Sequence, residues 1–114
     1  MPRILVVEEN KNLRVLYKYV LSKAGYEVST VSSKEAALER LPEIDLVISE
    51  LEAPNDKGYQ ALNHYYKKNN KIKLIVNTGY PLRADQSMNC RADAILPKSS
   101  NMDQLTLTIQ SVLT

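Results

Sequence analysis

The sequence has few of the residues that mark disulfide-bonded or phosphate-cradling proteins. Its 114 residues contain one cysteine, no tryptophan and no phenylalanine. The single thiol, Cys90, excludes a disulfide framework and a CxxC metal or redox site within the chain, and it fits a reducing compartment. The three glycines are scattered, so the chain contains neither a GxGxxG motif nor a Walker loop.

Long apolar runs and strong net charge are absent as well. No apolar run approaches the ~20 residues that a membrane span needs. The first run, Ile4 to Val7, stops at two acids instead of continuing as a signal peptide. The formal net charge of +2 is too small to favour nucleic acid or a membrane surface. We expect a single cytoplasmic domain over residues 1–114, without membrane or direct nucleic-acid contact.

Apolar runs alternate with amphipathic segments along the chain. The runs predict five strands, which are Arg3–Val7, Glu27–Val31, Leu46–Ser49, Lys73–Asn77 and Ala94–Leu96. Apolar residues at helical spacing predict helices at 11–24, 33–41, 58–68, weakly at 82–89, and from 102 to the end. This alternation implies a parallel sheet with helices on both faces, whose functional site lies at the carboxyl ends of the strands.

Polar side chains follow four of the five predicted strands. Glu8 and Glu9 end the first strand and Glu50 the third, while Thr78 and Lys98 follow the fourth and the fifth. Because the carboxyl ends of parallel strands meet at one edge, the sequence predicts an acidic pocket that also contains a hydroxyl and an ammonium group. For Glu8 and Glu9 a second role stays open, since acids also stabilise the amino end of a helix.

Four segments at these strand ends resemble the receiver domain of two-component response regulators. They are ILVVEEN, DLVISELEAPNDKG, IVNTGY and ADAILPK, and the resemblance covers essentially the whole chain. It implies a flavodoxin-like (CheY-like), doubly wound α/β fold with a five-stranded parallel sheet in the order 2-1-3-4-5 and five helices.

The resemblance also implies roles for individual residues. Glu50 stands at the phosphoacceptor position, and the phosphate and switch contacts fall on Thr78, Ile95 and Lys98. A Mg²⁺ site would draw on the carboxylates of the acidic pocket and on one backbone carbonyl; the ligand set is Glu8, Glu9, Glu50 and the carbonyl of Glu52.

Several of these positions depart from the family pattern. Glu50 replaces the acceptor aspartate, so its carboxylate reaches about 1.5 Å farther into the pocket. Phosphoryl transfer depends on in-line placement, and an error near 1 Å can cost about 100-fold in rate. Glu8 and Glu9 replace aspartates, Ile95 replaces an aromatic residue, and Ser99 stands where proline is usual. We therefore expect a non-enzymatic module that requires no cofactor, with Mg²⁺ as the one ion that the resemblance admits.

Together these features suggest a receiver held permanently in one state. We hypothesise that Glu50 pairs with Lys98 and accepts from the Thr78 hydroxyl, and so imitates an acyl phosphate with a single negative charge. The protein would bind partners, a histidine kinase among them, as a monomer or weak dimer. The resemblance places the docking surface on the fourth helix, fifth strand and fifth helix, at residues 82–113.

Other interpretations stay open on the sequence alone. A working receiver would bind Mg²⁺ and take phosphate on Glu50 or, unusually, on Asp56. The chain could also be the N-terminal regulatory domain of a DNA-binding regulator. An unrelated flavodoxin-like enzyme or nucleotide binder is disfavoured, because the glycine-rich phosphate loop is missing.

Overall fold

The computed structural model describes residues 1–49, 67, 71–78, 92–97 and 102–114, and their elements alternate as the sequence predicts. The elements are β1 (Arg3–Val7), α1 (Lys11–Lys23), β2 (Glu27–Val31), α2 (Lys34–Leu38), a 3₁₀ turn (Leu41–Glu43), β3 (Leu46–Ser49), β4 (Lys73–Thr78), β5 (Ala94–Pro97) and α3 (Met102–Leu113). The helices predicted at 58–68 and 82–89 lie outside the described residues, apart from Lys67, which is helical. Of the five predicted helices, three are therefore described.

The five strands form one parallel sheet in the order β2-β1-β3-β4-β5. This confirms the predicted sheet and its strand order. At the carboxyl edge, Ser49 of β3 lies level with Val7 of β1 and Val76 of β4. On the other side of β4, Thr78 lies level with Pro97 of β5. The strand order reverses beside β1, which is where open sheets of this class place their sites.

Two apolar layers cover the sheet, because alternate residues of a strand point to opposite faces. The layer under α1 and α3 combines strand and helix residues; it consists of Ile4, Val6, Tyr17, Leu21, Leu46, Ile48, Ile75, Leu105 and Ile109. The layer under α2 consists of Leu5, Val7, Val31, Ala37, Leu41, Ile44, Val47, Ile72, Leu74 and Val76. The inner strands β1 and β3 are buried on both faces, which explains their continuous apolar runs, whereas the edge strands β2 and β5 are half-buried.

The first helix has the start and stop signals that the sequence contains. The Asn10 side chain accepts a hydrogen bond from the Leu13 N–H at 3.1 Å and so caps α1. In the turn between α1 and β2, Gly25 has a φ of +101°, a backbone conformation that favours glycine. Ala24, the last residue of the predicted helix, lies just beyond α1 and is exposed, since α1 stops at Lys23.

The second helix is shorter than the sequence predicts. It ends at Leu38, and the chain continues into the 3₁₀ turn instead of reaching Leu41 as α-helix. The reason is Pro42, which has no N–H to donate and whose ring would clash with the Leu38 carbonyl in a continued helix. In the part of the chain that the structure describes, no helix has both the length and the apolarity to cross a membrane.

Candidate functional site at the carboxyl edge of the sheet

The two acids that follow β1 have different environments. The Glu8 side chain is buried, and its Oε2 accepts a hydrogen bond from the Asn10 N–H at 2.9 Å. The Glu8 N–H donates to the Val31 carbonyl at 3.0 Å, which extends the β1–β2 pairing to this residue. Glu9 is exposed. The structure thus places one acid of the predicted pair inside the edge of the sheet and the other at its surface.

The buried acid also lies at the amino end of α1. Its contact with Asn10 brings the carboxylate beside the cap of the helix, where the macrodipole favours negative charge. The structural role considered for Glu8 is therefore supported by this geometry. It does not exclude a role in metal binding, because a carboxylate has lone pairs beyond the one that accepts from Asn10.

Arg14 brings a positive charge to the same edge. Its Nη1 donates to the carbonyl oxygen of Glu8 at 2.8 Å and to that of Glu9 at 2.7 Å. The guanidinium group thereby satisfies the backbone carbonyls of the two residues that follow β1. Sequence reasoning missed this residue, although an arginine one turn after the helix cap was a usable signal.

The end of β3 carries a buried hydroxyl. Ser49 is 1% exposed, and its Oγ has no hydrogen-bond partner among the residues that the structure describes. Glu50, the phosphoacceptor equivalent, follows Ser49 directly in the sequence. Glu50 and Glu52 lie outside the described residues, as does Lys98, so the contact between Glu50 and Lys98 stays a prediction.

The end of β4 carries a buried polar pair that the sequence did not reveal. The Asn77 Nδ2 donates to the Tyr17 hydroxyl oxygen at 2.8 Å, and both side chains are buried. In the sequence, Tyr17 falls within the predicted first helix and Asn77 ends the predicted fourth strand. An amide inside an otherwise apolar strand was the signal, because a buried polar group needs a partner. Thr78, the last residue of β4, follows this pair.

Ile95 occupies the position of the aromatic switch residue. It lies level with Val76 of the neighbouring strand and is half-buried against the layer that contains Leu74 and Val76. Its branched aliphatic side chain is thus part of the packing of the sheet. Lys98 follows one residue after the end of β5 at Pro97.

The described part of the edge offers a partial set of oxygen ligands for Mg²⁺. It supplies the carboxylates of Glu8 and Glu9, and within residues 1–49, 67, 71–78, 92–97 and 102–114 no three acidic, histidine or cysteine side chains cluster. Mg²⁺ in proteins is commonly held by one or two carboxylates and several waters. Glu8 and Glu9 are compatible with such an ion but do not require one. The Glu50 carboxylate and the Glu52 carbonyl would complete the predicted set of ligands.

Comparisons with solved structures show the same architecture over nearly the whole chain. Response regulator protein TrrA from Thermotoga maritima, in complex with Mg²⁺–BeF, is 35% identical with a TM-score of 0.85, over 98% of this chain and 99% of TrrA. A structure of the histidine kinase ThkA in complex with TrrA matches at 34% identity with a TM-score of 0.85, over 100% of each chain. The fold and the strand order are thus those of solved response regulators.

Curated relatives contain a matching segment within longer chains. Regulatory protein AtoC of Escherichia coli is 25% identical over 97% of this chain, and the match covers 25% of AtoC. Sensor kinase CckA of Brucella abortus is 32% identical over 96% of this chain and 12% of CckA. The chain therefore spans a quarter or less of these two relatives. The model of the response regulator receiver domain matches residues 4–110. With its sheet order and this match, the chain belongs to the response regulator receiver domain family.

Proposed function

We propose that this receiver domain is a protein-interaction module of two-component signalling whose state does not depend on phosphorylation. One observation carries the proposal: the acid that directly follows the buried strand β3 is Glu50 where the family has aspartate. A carboxylate at this point supplies constant negative charge where relatives acquire about −1.5 to −2 transiently. We infer that Glu50 pairs with Lys98 and accepts from the Thr78 hydroxyl.

The surroundings of the strand ends support a constant state. Glu8 is already hydrogen-bonded to the α1 cap residue Asn10, and Arg14 holds the backbone carbonyl of Glu8. Ile95 is an aliphatic member of a core layer, so this chain has no aromatic ring there to turn inward on activation. Three features therefore disfavour a switch driven by phosphate. They are the longer side chain of Glu50, the hydrogen bond that Glu8 already makes, and the aliphatic residue at the position of the aromatic switch.

Partner binding is the activity that remains for such a module. Because TrrA was solved with the histidine kinase ThkA, we propose a histidine kinase as one class of partner. The docking surface that we propose includes β5 and α3. On α3, Leu107 is 65% exposed, and no charged residue follows Asp103 up to the end of the chain. We propose that the domain works in the cytoplasm, as a monomer or weak dimer without catalytic activity of its own.

A Mg²⁺-dependent, phosphate-accepting receiver is the alternative. It draws support from the Mg²⁺–BeF complex of TrrA and from the adjacent acids Glu8 and Glu9. Because the chain spans 25% of AtoC, it could also serve as the regulatory part of a longer DNA-binding regulator.

Intact-mass spectrometry after incubation with acetyl phosphate and Mg²⁺ tests the proposal. We expect the wild-type protein to remain unmodified and Glu50→Asp to gain one phosphoryl group. Glu50→Gln is the matched control, since it keeps the length of the side chain and removes the charge. A stoichiometric phosphoryl adduct on Glu50 of the wild type would overturn the proposal and support the alternative.

A further inference from the structure

We propose that the hydrogen bond between Tyr17 and Asn77 couples α1 to the carboxyl end of β4, so that a displacement of α1 is transmitted to Thr78. The Asn77 Nδ2 and the Tyr17 Oη are 2.8 Å apart. Tyr17 is 2% exposed and Asn77 is 7% exposed, so water does not compete for this bond. The inference rests on the proposed function only in treating Thr78 as the switch position.

The pair differs from its surroundings in being directional. Tyr17 belongs to the layer that α1 shares with Ile48 and Ile75 of the sheet, and the other buried members of that layer are aliphatic. Apolar burial is non-directional and tolerates small sliding motions of a helix. A hydrogen bond weakens steeply when its angle or its length changes, and a buried amide that loses its acceptor is strongly unfavourable. The bond therefore fixes the position of α1 relative to β4.

Its location connects two parts of the molecule. Asn77 directly precedes Thr78, and the two residues lie level with Leu96 and Pro97 of β5. A shift of Asn77 thus reaches the backbone of the two strands that lead to Thr78 and Lys98. On the other side, α1 exposes Val15 and Tyr19, at 62% and 60%.

This arrangement makes the coupling reciprocal. Any contact made with the exposed side of α1 acts on a helix that is tied to β4. By linkage, the coupling free energy between a contact on α1 and a contact at the end of β4 is the same in both directions.

Amide resonances measured by NMR test the transmission directly. Tyr17→Phe keeps the buried ring and removes the acceptor oxygen. We expect the backbone amides of Asn77, Thr78 and Leu96 and the side-chain amide of Asn77 to shift. The matched control is Tyr19→Phe, which removes the same hydroxyl from the exposed side of α1 and should leave these resonances in place.

The reverse experiment uses the other partner. In Asn77→Val we expect the backbone amides around Tyr17 to shift. A bond that only adds stability would lower the midpoint of urea unfolding without moving the Thr78 amide. An unmoved Thr78 amide in Tyr17→Phe would therefore overturn the proposal. The test does not depend on Asn77→Val, so it remains conclusive if that variant does not fold.

A double-mutant cycle measures the strength of the coupling. We expect Tyr17→Phe and Asn77→Val each to raise the unfolding constant, and the double variant to raise it about fivefold less than the product of the two single effects. Effects that simply multiply would contradict a direct bond between the two side chains. Neither measurement involves phosphate or a partner, so their failure would leave the proposed function intact. Conversely, a phosphoryl adduct on the wild type would overturn the proposed function and leave the coupling intact.

Discussion

Replacing Ser49 with alanine should make the domain more stable. Ser49 is 1% exposed, and within the described part of the chain its Oγ lacks a hydrogen-bond partner. Burying a hydroxyl without a partner costs about 1–3 kcal/mol on the scale set by protein mutations. Alanine removes the hydroxyl and keeps the rest of the side chain, so the packing of β3 against β1 and β4 is retained.

The void left by the oxygen offsets only part of this gain. A water-sized void is about 10–15 Å³. At ~24 cal/mol per Å³ of cavity, it costs about 0.3 kcal/mol. The free energy of unfolding should therefore rise by about 0.7–2.7 kcal/mol. With a urea dependence of about 1–3 kcal/mol per M, each ~1 kcal/mol of this rise should raise the midpoint by about 0.3–1 M.

Urea unfolding followed by circular dichroism measures this change, and Ser33→Ala is the matched control. The Ser33 Oγ accepts from the Ala36 N–H at 3.2 Å and caps α2. The same chemical change should therefore lower the free energy of unfolding there, by about 1 kcal/mol. A lower midpoint for Ser49→Ala would refute the reasoning, because it would mean that the Ser49 hydroxyl has a partner. A higher midpoint would indicate that this hydroxyl, next to Glu50, serves something other than stability.

Substitutions at three further positions test the core packing and the two ends of α1 by urea unfolding. Gly25→Ala should destabilise the domain by about 1 kcal/mol, since its φ of +101° is strained for alanine although the space around it is open; an unchanged midpoint would contradict this. Asn10→Ala should cost about 1 kcal/mol through loss of the α1 cap, and Asn10→Asp should recover most of that loss. Leu5→Ala, in the fully buried part of β1, should cost about 2–5 kcal/mol, and a loss below 1 kcal/mol would mean that the layer under α2 collapses around the void.

The sheet could be predicted from the sequence because its inner strands are buried on both faces. Continuous runs of branched apolar residues placed β1 and β3 at the residues where the structure has them, and the β-branched residues of β2 placed that edge strand. The last two strands each extend one residue beyond the predicted end, to Thr78 and Pro97, because apolar character fades there before the pairing stops.

The candidate site could be predicted only in part. A pattern indicates which face of an element a residue occupies, but hydrogen-bond partners depend on distances between elements. For this reason the contacts of Arg14 with the backbone carbonyls after β1, and of Tyr17 with Asn77, appeared only in the structure. The different burial of Glu8 and Glu9 could not be inferred from alternation along β1, because these two acids continue the faces of Val6 and Val7, which are both buried.

The amide resonance of Thr78 provides the most direct test of a charge that is permanently present. Two comparisons are needed: the wild type before and after acetyl phosphate with Mg²⁺, and the wild type against Glu50→Gln. We predict that the phosphodonor leaves the resonance in place, whereas the loss of the Glu50 charge shifts it. A resonance that moves with the phosphodonor and is unaffected in Glu50→Gln would contradict the account.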